Sequence, residues 1–318
     1  MKCVVVIPCL NESATIKAVI DQIPKNMDGI SSVEVVVIDD GSTDDSAAVA
    51  REAGAFVVSH GSNLGVGSAF RSGILEALKR GADVMVHIDG DGQFHPPDMA
   101  SLVAPVVQKQ ADFVTASRFS DPSIIPEMPW IKKWGNHRMA QLVSALIGRR
   151  YYDVSCGFRA FSREALLHIN LFGSFTYTQE VFLNLAFKSL RIKEMPTKVI
   201  GQRAHGKSRI ASNLFRYAFQ TSKIIFSAYR DYKPLRFFCF FSAMAFIMSF
   251  ALGSFFLMHY VLTGFFSGHL WAGFSAGFLF ALGLALAITG LIADMLGRIR
   301  RNQEEQLYYQ KRHFYFNE

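Results

Sequence analysis

Two carboxylates separated by a single residue, Asp89 and Asp91, follow directly on the apolar run at residues 84–88. The run is rich in β-branched residues and glycine follows it, a pattern that predicts a buried strand. At the carboxyl end of a strand the two side chains can point the same way, and Gly90 and Gly92 let a ligand approach the backbone closely. Two hard oxygen ligands suit Mg²⁺ or Mn²⁺ shared with a substrate diphosphate. The alternative interpretation is a strand-terminating Asp-Gly turn.

The elements that must position these carboxylates alternate along the first 120 residues. Apolar runs typical of strands occur at 3–7, 33–38, 55–59, 84–88 and 113–116. Helical patterns occur at 14–22, 43–53, 67–80 and 97–108, with a further helix expected at 134–147. This alternation predicts an α/β fold with helices on both faces of a mostly parallel sheet, in which ligands bind at the carboxyl ends of the strands. The stretch from 148 to about 206 is expected to be irregular.

The charge of the chain is unevenly distributed. Residues 1–187 carry 16 basic and 20 acidic side chains, whereas residues 188–236 carry 12 and 2. A basic block beside an apolar one favours an anionic lipid or a phosphorylated ligand at a membrane surface. Nucleic acid is the competing partner for such a block, but no nucleic-acid-binding motif accompanies the charge. We therefore expect a lipid bilayer and no nucleic acid among the partners.

Two segments near the carboxyl terminus predict transmembrane helices, at about 237–262 and 270–296. Residues 237–262 contain no charged side chain, and neither do residues 270–293. Each run exceeds the ~20 residues that span a bilayer as a helix. The loop at 263–269 has no Lys or Arg, whereas basic residues flank the pair at Lys233, Arg236, Arg298, Arg300 and Arg301. By the positive-inside rule, both termini are cytoplasmic and the protein is multi-pass in a bacterial-type inner (plasma) membrane.

These patterns divide the chain into four parts. Residues 1–209 form a cytosolic α/β domain, 210–233 a juxtamembrane helix, 234–297 a two-helix transmembrane hairpin and 298–318 a cytosolic tail. Apolar side chains at 213–232 fall on one helical face, with Arg216, Lys223 and Arg230 in a stripe beside it. Such a helix can lie in the membrane interface, the alternative being an ordinary packed amphipathic helix. The hairpin is also a candidate surface for homo-oligomers.

Further motifs follow the predicted strands in a characteristic order. They are Pro8-Cys9-Leu10-Asn11-Glu12, Asp39-Asp40-Gly41-Ser42-Thr43-Asp44, Asn63-Leu64-Gly65-Val66-Gly67, Asp89-Gly90-Asp91 and Ser155-Cys156-Gly157-Phe158-Arg159. In this order the chain resembles the inverting, GT-A-type family 2 glycosyltransferases over roughly residues 2–209. The proline-bearing stretch 91–98 and the membrane hairpin resemble, within that family, the polyprenyl-phosphate glycosyltransferases, which include the dolichol-phosphate-mannose synthases.

The resemblance implies a role for each of the matching residues. The nucleotide would be bound by Pro8, Leu10, Glu12, Asp39, Asp40, Asn63 and Asp89, and Mg²⁺ or Mn²⁺ by Asp91 with Asp89 and Gln93. Cations for the acceptor phosphate would come from Arg118, Lys132, Lys133, Arg138, Arg203, Lys207 and Arg209. Asp89, Asp91, Arg118 and Arg203 would be catalytic, and Leu214, Phe215 and Phe219 would guide the lipid chain.

Several of these assignments have structural alternatives. Residues 40–44 also fit the start of a helix capped by Ser42 or Thr43. Each basic residue also fits an ordinary surface charge. Asp153 fits either a further carboxylate near the sugar or a loop residue.

The resemblance implies transfer of a single hexose from a nucleotide sugar to a polyprenyl phosphate, with UDP-glucose and undecaprenyl phosphate as the favoured pair. GDP-mannose is the alternative donor. The alternative of another class is a non-catalytic, membrane-anchored scaffold that binds nucleotide sugars. The acceptor phosphate has a second pKa near ~6, so it is largely anionic at neutral pH and the reaction needs no enzyme nucleophile. Transport of the product is disfavoured because two spans are too few for a pathway.

Overall fold

The computed structural model describes residues 1–170, 177–200, 223, 226–227 and 229–317. Within this part of the chain, seven strands form one sheet in the order β3-β2-β1-β4-β6-β5-β7. The strands are β1 (Lys2–Cys9), β2 (Ser32–Asp39), β3 (Phe56–Ser59), β4 (Val84–His87), β5 (Phe113–Ser117), β6 (Arg159–Ser162) and β7 (Ile192–Pro196). Strand β6 is antiparallel to both neighbours, and all other pairs are parallel. The predicted α/β class with a mostly parallel sheet is therefore confirmed.

Helices connect these strands. They are α1 (Ile16–Asp21), α2 (Ser46–Glu52), α3 (Val66–Lys79), α4 (Met99–Val107), α5 (Trp130–Ile147), α6 (Arg163–His168) and α7 (Thr178–Phe187). The first five strands and the helices between them lie within a few residues of their predicted positions, and α5 begins four residues early, directly after Pro129. The expectation of irregular structure from 148 to 206 is wrong, because β6, α6, α7 and β7 lie there. Strand β6 has only four residues and begins with an arginine, so it has no apolar period.

Packing on both faces explains why the central strands are almost continuously apolar. Val5 and Ile7 of β1 are fully buried in one cluster with side chains of α1 and α4. Val6 points to the other face, where a Cβ at Gly73 of α3 would overlap its side chain. The sheet is thus a rigid platform whose carboxyl-terminal edge carries the polar loops.

Two long helices follow, α8 (Pro234–Thr263) and α9 (Leu270–Phe316), and by length and composition each is a candidate membrane span. They pack against each other through hydrogen bonds from Ser242 Oγ to the Gly283 carbonyl and from Ser249 Oγ to the Ala276 carbonyl, both 2.8 Å. Their outer surfaces are apolar, and the largest side chains are well exposed, for example Phe274 at 78 %. Such a surface matches a lipid environment rather than water.

The tail that was expected after residue 297 is the continuation of α9. The chain divides into two compact units, 226–306 and the remainder, so residues 307–317 belong to the unit that contains the sheet. Within that unit, Lys311 Nζ donates to the Ile169 carbonyl (3.0 Å) and to Asn170 Oδ1 (2.8 Å), just beyond the end of α6. The Tyr308 ring stacks on His168 with a centroid distance of 4.4 Å. The last turns of α9 therefore cap α6.

Candidate active site

The polar loops meet at the carboxyl edge of the sheet because β1 lies between β2 and β4. Cys9 is level with Asp39 on β2, and Val6 is level with His87 on β4, two residues before Asp89. Strand β5 runs in the same direction as β4, since both are antiparallel to β6. Arg118, which follows β5, therefore leaves the sheet at the same edge.

The loops after β1 and β2 are joined by hydrogen bonds. The backbone N–H of Asn11 donates to Ser42 Oγ (3.0 Å), and the backbone N–H of Thr43 donates to Asn11 Oδ1 (2.7 Å). Asn11 has a positive φ of 55°, which asparagine adopts more readily than most residues. These bonds hold the predicted nucleotide-binding stretch 8–12 against the Asp39–Asp40 loop.

The start of α2 differs from the predicted cap. Neither Ser42 nor Thr43 caps the helix, which begins at Ser46. Instead Asp44 Oδ1 accepts the Ser46 backbone N–H at 3.0 Å. Both predicted cap residues instead form hydrogen bonds with Asn11 in the loop after β1, so neither hydroxyl caps α2.

Asp39 and Asp40 are both buried at this edge. Asp39 Oδ1 accepts the Ser42 backbone N–H at 2.9 Å, which closes the turn. The Asp40 carboxylate accepts the backbone N–H groups of Leu64 (3.0 Å) and Gly65 (2.8 Å). Asp40 therefore anchors the loop that carries Asn63, another of the predicted nucleotide-binding residues.

The predicted metal ligands share one turn after β4. Asp91 is 4 % exposed, and its Oδ1 accepts the Gln93 backbone N–H at 3.0 Å. The Gln93 side chain donates from Nε2 to the Ile200 carbonyl at 2.9 Å. Its Oε1 is then the atom that could bind a cation. Thr15 Oγ1 donates to the Gly90 carbonyl (2.7 Å), so the turn is tied to the loop after β1.

These residues fit a divalent cation that is completed by substrate. In the part of the chain that the structure describes, no three His, Cys, Asp or Glu side chains are grouped to hold a metal by themselves. Mg²⁺ in nucleotide-dependent enzymes is commonly held by one or two carboxylates together with substrate phosphates and water. Asp89, Asp91 and the Gln93 amide oxygen match that donor set.

Two residues near the turn at 89–93 had no role assigned from the sequence: His87, and Arg159 of the motif at 155–159. The buried Arg159 donates to the carbonyls of Cys156 (2.7 Å) and Val154 (3.0 Å), and so shapes the loop before β6. His87 Nδ1 lies 2.8 Å from the Gly157 carbonyl in the same loop. A Cβ on Gly157 would lie 2.8 Å from Asp89 Oδ2. The loop thus supports the Asp89 carboxylate, and the only signal for it was the motif at 155–159.

Acid is expected to weaken the fold through His87. Burial lowers the pKa of this imidazole from 6.5 to about 3; the Gly157 hydrogen bond opposes the shift and the Arg159 charge adds to it. Below pH 6.5 the unfolded chain therefore takes up a proton that the folded protein refuses until about pH 3. The free energy of unfolding is therefore unaffected by His87 titration above pH 6.5. Between pH 6.5 and about pH 3 it falls by about 1.4 kcal/mol per pH unit.

The His87→Gln variant tests this pH dependence. Glutamine retains a donor for the Gly157 carbonyl but does not titrate, so its thermal midpoint should fall less than that of the wild type between about pH 7.5 and about pH 5. Both full-length proteins would be melted in the same detergent. Their carboxylates are the same, so the titration of these groups changes both thermal midpoints equally. Equal acid shifts in the two proteins would remove His87 as the cause.

Arg118 and Asp153 form a bidentate ion pair. Nε of Arg118 lies 2.6 Å from Asp153 Oδ2, and Nη2 lies 3.0 Å from Oδ1. Burial acts to raise the pKa of the Asp153 carboxyl, but the charge and hydrogen bonds of Arg118 outweigh it and hold this pKa below its usual range. Asp153 therefore stays ionised and orients the guanidinium at the sheet edge.

The other predicted cations are more dispersed. Lys132 is half-buried and Lys133 and Arg138 are exposed along α5, where Arg138 lies over the Trp134 ring at 5.7 Å. Trp130 is 76 % exposed at the start of this helix, and the sequence patterns assigned it no role. The remaining predicted residues lie outside the described part of the chain: Arg203, Lys207, Arg209, Leu214, Phe215 and Phe219.

Comparisons with known proteins give this site a context. Residues 4–169 match the sequence model described as glycosyl transferase family 2. The chain is 31 % identical over 215 residues to UDP-N-acetylglucosamine–dolichyl-phosphate N-acetylglucosaminyltransferase of Methanococcus voltae, covering 61 % of this chain and 84 % of the relative. It is 29 % identical over 173 residues to polyprenol monophosphomannose synthase of Mycolicibacterium smegmatis, covering 52 % and 64 %.

A solved structure shares the fold. Glucosyl-3-phosphoglycerate synthase of Mycobacterium tuberculosis, in complex with Mn²⁺, UDP and glucosyl-3-phosphoglycerate, superposes with a TM-score of 0.54 at 25 % identity. The match covers 71 % of this chain and 79 % of that one. Because the family match spans more than half of the sequence, the chain belongs to glycosyl transferase family 2, with a GT-A fold and relatives among the polyprenyl-phosphate glycosyltransferases.

Proposed function

We propose that this protein transfers one hexose from UDP-glucose to undecaprenyl phosphate, with inversion at the anomeric carbon. The observation that carries the proposal is the position of Asp89 and Asp91 at the end of β4, beside the loops after β1 and β2. The same chain has two candidate membrane spans, which would bring this site to a lipid acceptor. The Methanococcus voltae relative is named for a dolichyl-phosphate acceptor, which supports a polyprenyl phosphate here.

GDP-mannose is the second candidate donor. It is supported by the Mycolicibacterium smegmatis relative, whose name is that of a phosphomannose synthase. A carboxylate at a strand end, such as Asp39 or Asp40, can accept the imide N–H of uracil or an amino group of guanine, so these residue types suit either nucleotide. A direct comparison of donors therefore belongs in the first experiment.

The chemistry follows from charge placement. Mg²⁺ or Mn²⁺, held by Asp91 with Asp89 and Gln93, would neutralise the diphosphate as it leaves. Arg118, oriented by Asp153, would help to hold the acceptor phosphate against the sugar. Lys132, Lys133 and Arg138, together with Arg203, Lys207 and Arg209, would add positive charge that balances acceptor and leaving group. Two anionic reactants need such positioning more than they need a base.

A donor panel tests this function. The full-length protein in detergent would be incubated with Mn²⁺, undecaprenyl phosphate and UDP-glucose, UDP-N-acetylglucosamine or GDP-mannose in turn. We expect lipid-linked sugar and free UDP with UDP-glucose, and no product when EDTA is in excess. Product only with GDP-mannose would select the alternative donor. Nucleotide binding without release of nucleoside diphosphate from any donor would favour the non-catalytic scaffold.

We propose that the hairpin crosses the membrane with both ends inside, leaving residues 1–209 and 298–318 in the cytoplasm. The basic residues that flank the pair, with none in the loop, support this orientation. Reporter domains fused after residue 318 and inserted in the loop 263–269 should report opposite sides of the membrane. A carboxyl-terminal reporter on the outer side would reverse the orientation.

The predicted interfacial helix at 210–233 is proposed to guide the prenyl chain. Replacing Phe215 and Phe219 with serine should raise KM for the lipid acceptor by about tenfold or more, because two large apolar side chains are lost from the interface. KM for the nucleotide sugar should change little. Gln220→Ser, on the polar stripe of the same predicted helix, is the matched control. An equal rise in both KM values would make the helix a structural element only.

A further inference from the structure

A partly buried hydrogen-bonded network lies at the start of the loop after β3. His60 Nδ1 is 2.7 Å from Asp40 Oδ1, and His60 Nε2 is 3.0 Å from Ser72 Oγ on α3. The side chains of Asp40 and His60 are 5 % and 10 % exposed. His60 thus bridges the Asp40 carboxylate, whose oxygens accept hydrogen bonds, and the Ser72 hydroxyl, which can donate or accept. We call these three residues the Asp40–His60–Ser72 network.

The same carboxylate also holds a loop, since Oδ1 is shared by His60 and the Leu64 N–H and Oδ2 accepts the Gly65 N–H. One side chain therefore joins the network to residues 64–65. Gly41 packs against the same loop with a φ of +77°, and a Cβ there would lie 2.7 Å from the Ser62 carbonyl carbon. Little space is left for this loop to shift while Asp40 stays in place.

We propose that His60, held by Ser72, is a positioning residue for the donor. It fixes the Asp40 carboxylate and, through it, the loop with Asn63 that forms one wall of the pocket for a nucleoside diphosphate. This inference rests on the proposed function.

Serine, histidine and aspartate in this order also activate nucleophiles in hydrolases. Here the acceptor phosphate is already an anion, so the transfer needs no enzyme nucleophile. Because Asp40 also accepts two backbone N–H groups of the loop, we infer that the network holds the loop in place.

The strength of the network follows from its burial. A charge-assisted hydrogen bond to a buried carboxylate is among the stronger ones in a protein, and losing its donor leaves the charge short of a partner. A loosened loop must be ordered again each time nucleotide binds, which lowers affinity for the donor. The cations proposed for the acceptor phosphate lie on other segments of the chain, so KM for the acceptor should not respond.

The test uses the full-length protein in detergent, with UDP and Mn²⁺ as the calorimetric probe and GDP titrated in parallel. His60→Phe removes both hydrogen bonds and should weaken UDP binding by about tenfold to a hundredfold. His60→Asn places an amide N–H near the position of Nδ1 and should bind within about threefold of the wild type. Ser72→Ala should fall between them. His168→Phe is the control, because His168 also pairs with a carboxylate, Glu164, at 3.1 Å.

Steady-state kinetics supply the second measurement. In His60→Phe, KM for the donor should rise in step with the loss of UDP binding, while kcat and KM for the acceptor stay within about twofold. Should His60→Phe fail to fold, Ser72→Ala against His60→Asn carries the same comparison.

Three outcomes would overturn the inference. UDP affinity unchanged in His60→Phe and Ser72→Ala, with a wild type that binds and transfers, removes the positioning role and leaves the proposed function intact. Equal losses for donor and acceptor would make the network a general structural support. A wild type that binds neither UDP nor GDP would overturn the proposed function and this inference together.

Discussion

Replacing Asp91 with alanine is expected to lower kcat/KM for sugar transfer by about a thousandfold or more, while the protein stays folded and membrane-inserted. The Asp91 carboxylate is buried at the end of β4 and is braced by the Gln93 backbone N–H. In the proposed mechanism it would hold the cation that neutralises the leaving diphosphate. Activity would be measured as UDP release in the presence of undecaprenyl phosphate, and folding as the thermal midpoint.

The matched control is Asp28→Ala, which removes an exposed carboxylate from the same domain. It should retain wild-type activity, so that a loss in Asp91→Ala is not a general effect of charge. Full activity in Asp91→Ala, or wild-type activity undiminished in excess EDTA, would remove the metal assignment.

Replacing Gly157 with alanine is expected to lower kcat by about a hundredfold with little change in stability. A Cβ at residue 157 would stand 2.8 Å from Asp89 Oδ2, and the carboxylate end of a flexible side chain is what must yield. A displacement of about 1 Å of a group that positions substrate can cost that much in rate. Transfer rates and Mn²⁺ affinity, the latter from electron paramagnetic resonance of the free ion, would be measured together.

Gly135→Ala is the matched control for this variant. Gly135 lies in α5, and a Cβ there meets no atom within 4 Å, so activity should be unchanged. A Gly157→Ala protein with normal Mn²⁺ affinity and normal rates would show that Asp89 tolerates displacement. A protein that unfolds instead would show that the loop before β6 supports the domain more than the site.

The parts of the fold that were predicted correctly carry strong local patterns. Strands β1 and β4 are apolar at nearly every position because both of their faces are buried, and breakers follow them. The two long helices also stand out, although most of their surface is exposed, because each contains an uncharged run long enough to span a bilayer. For these strands and helices, the local sequence is enough to predict the element.

Strands β6 and β7 were missed because their stability comes from neighbours. β6 has the sequence Arg-Ala-Phe-Ser and inserts antiparallel between β4 and β5, where Arg159 is buried but satisfied by backbone carbonyls. β7 is a partly exposed edge strand with Lys193 and Glu194 in its middle. Neither strand shows an apolar period, so only pairing with the sheet defines it.

By itself the sequence determined which residue types stand at which strand ends: Asp39 and Asp40 after β2, Asp89 and Asp91 after β4, and Arg118 after β5. It also determined the two apolar helices, since each of these signals lies within a short stretch of chain. Only the tertiary structure decided which partners these residues take. Asp153 pairs with Arg118 across 35 residues, His87 meets Gly157 across 70, and Asp40 meets His60 across 20. Such contacts depend on strand order and register, which no local pattern encodes.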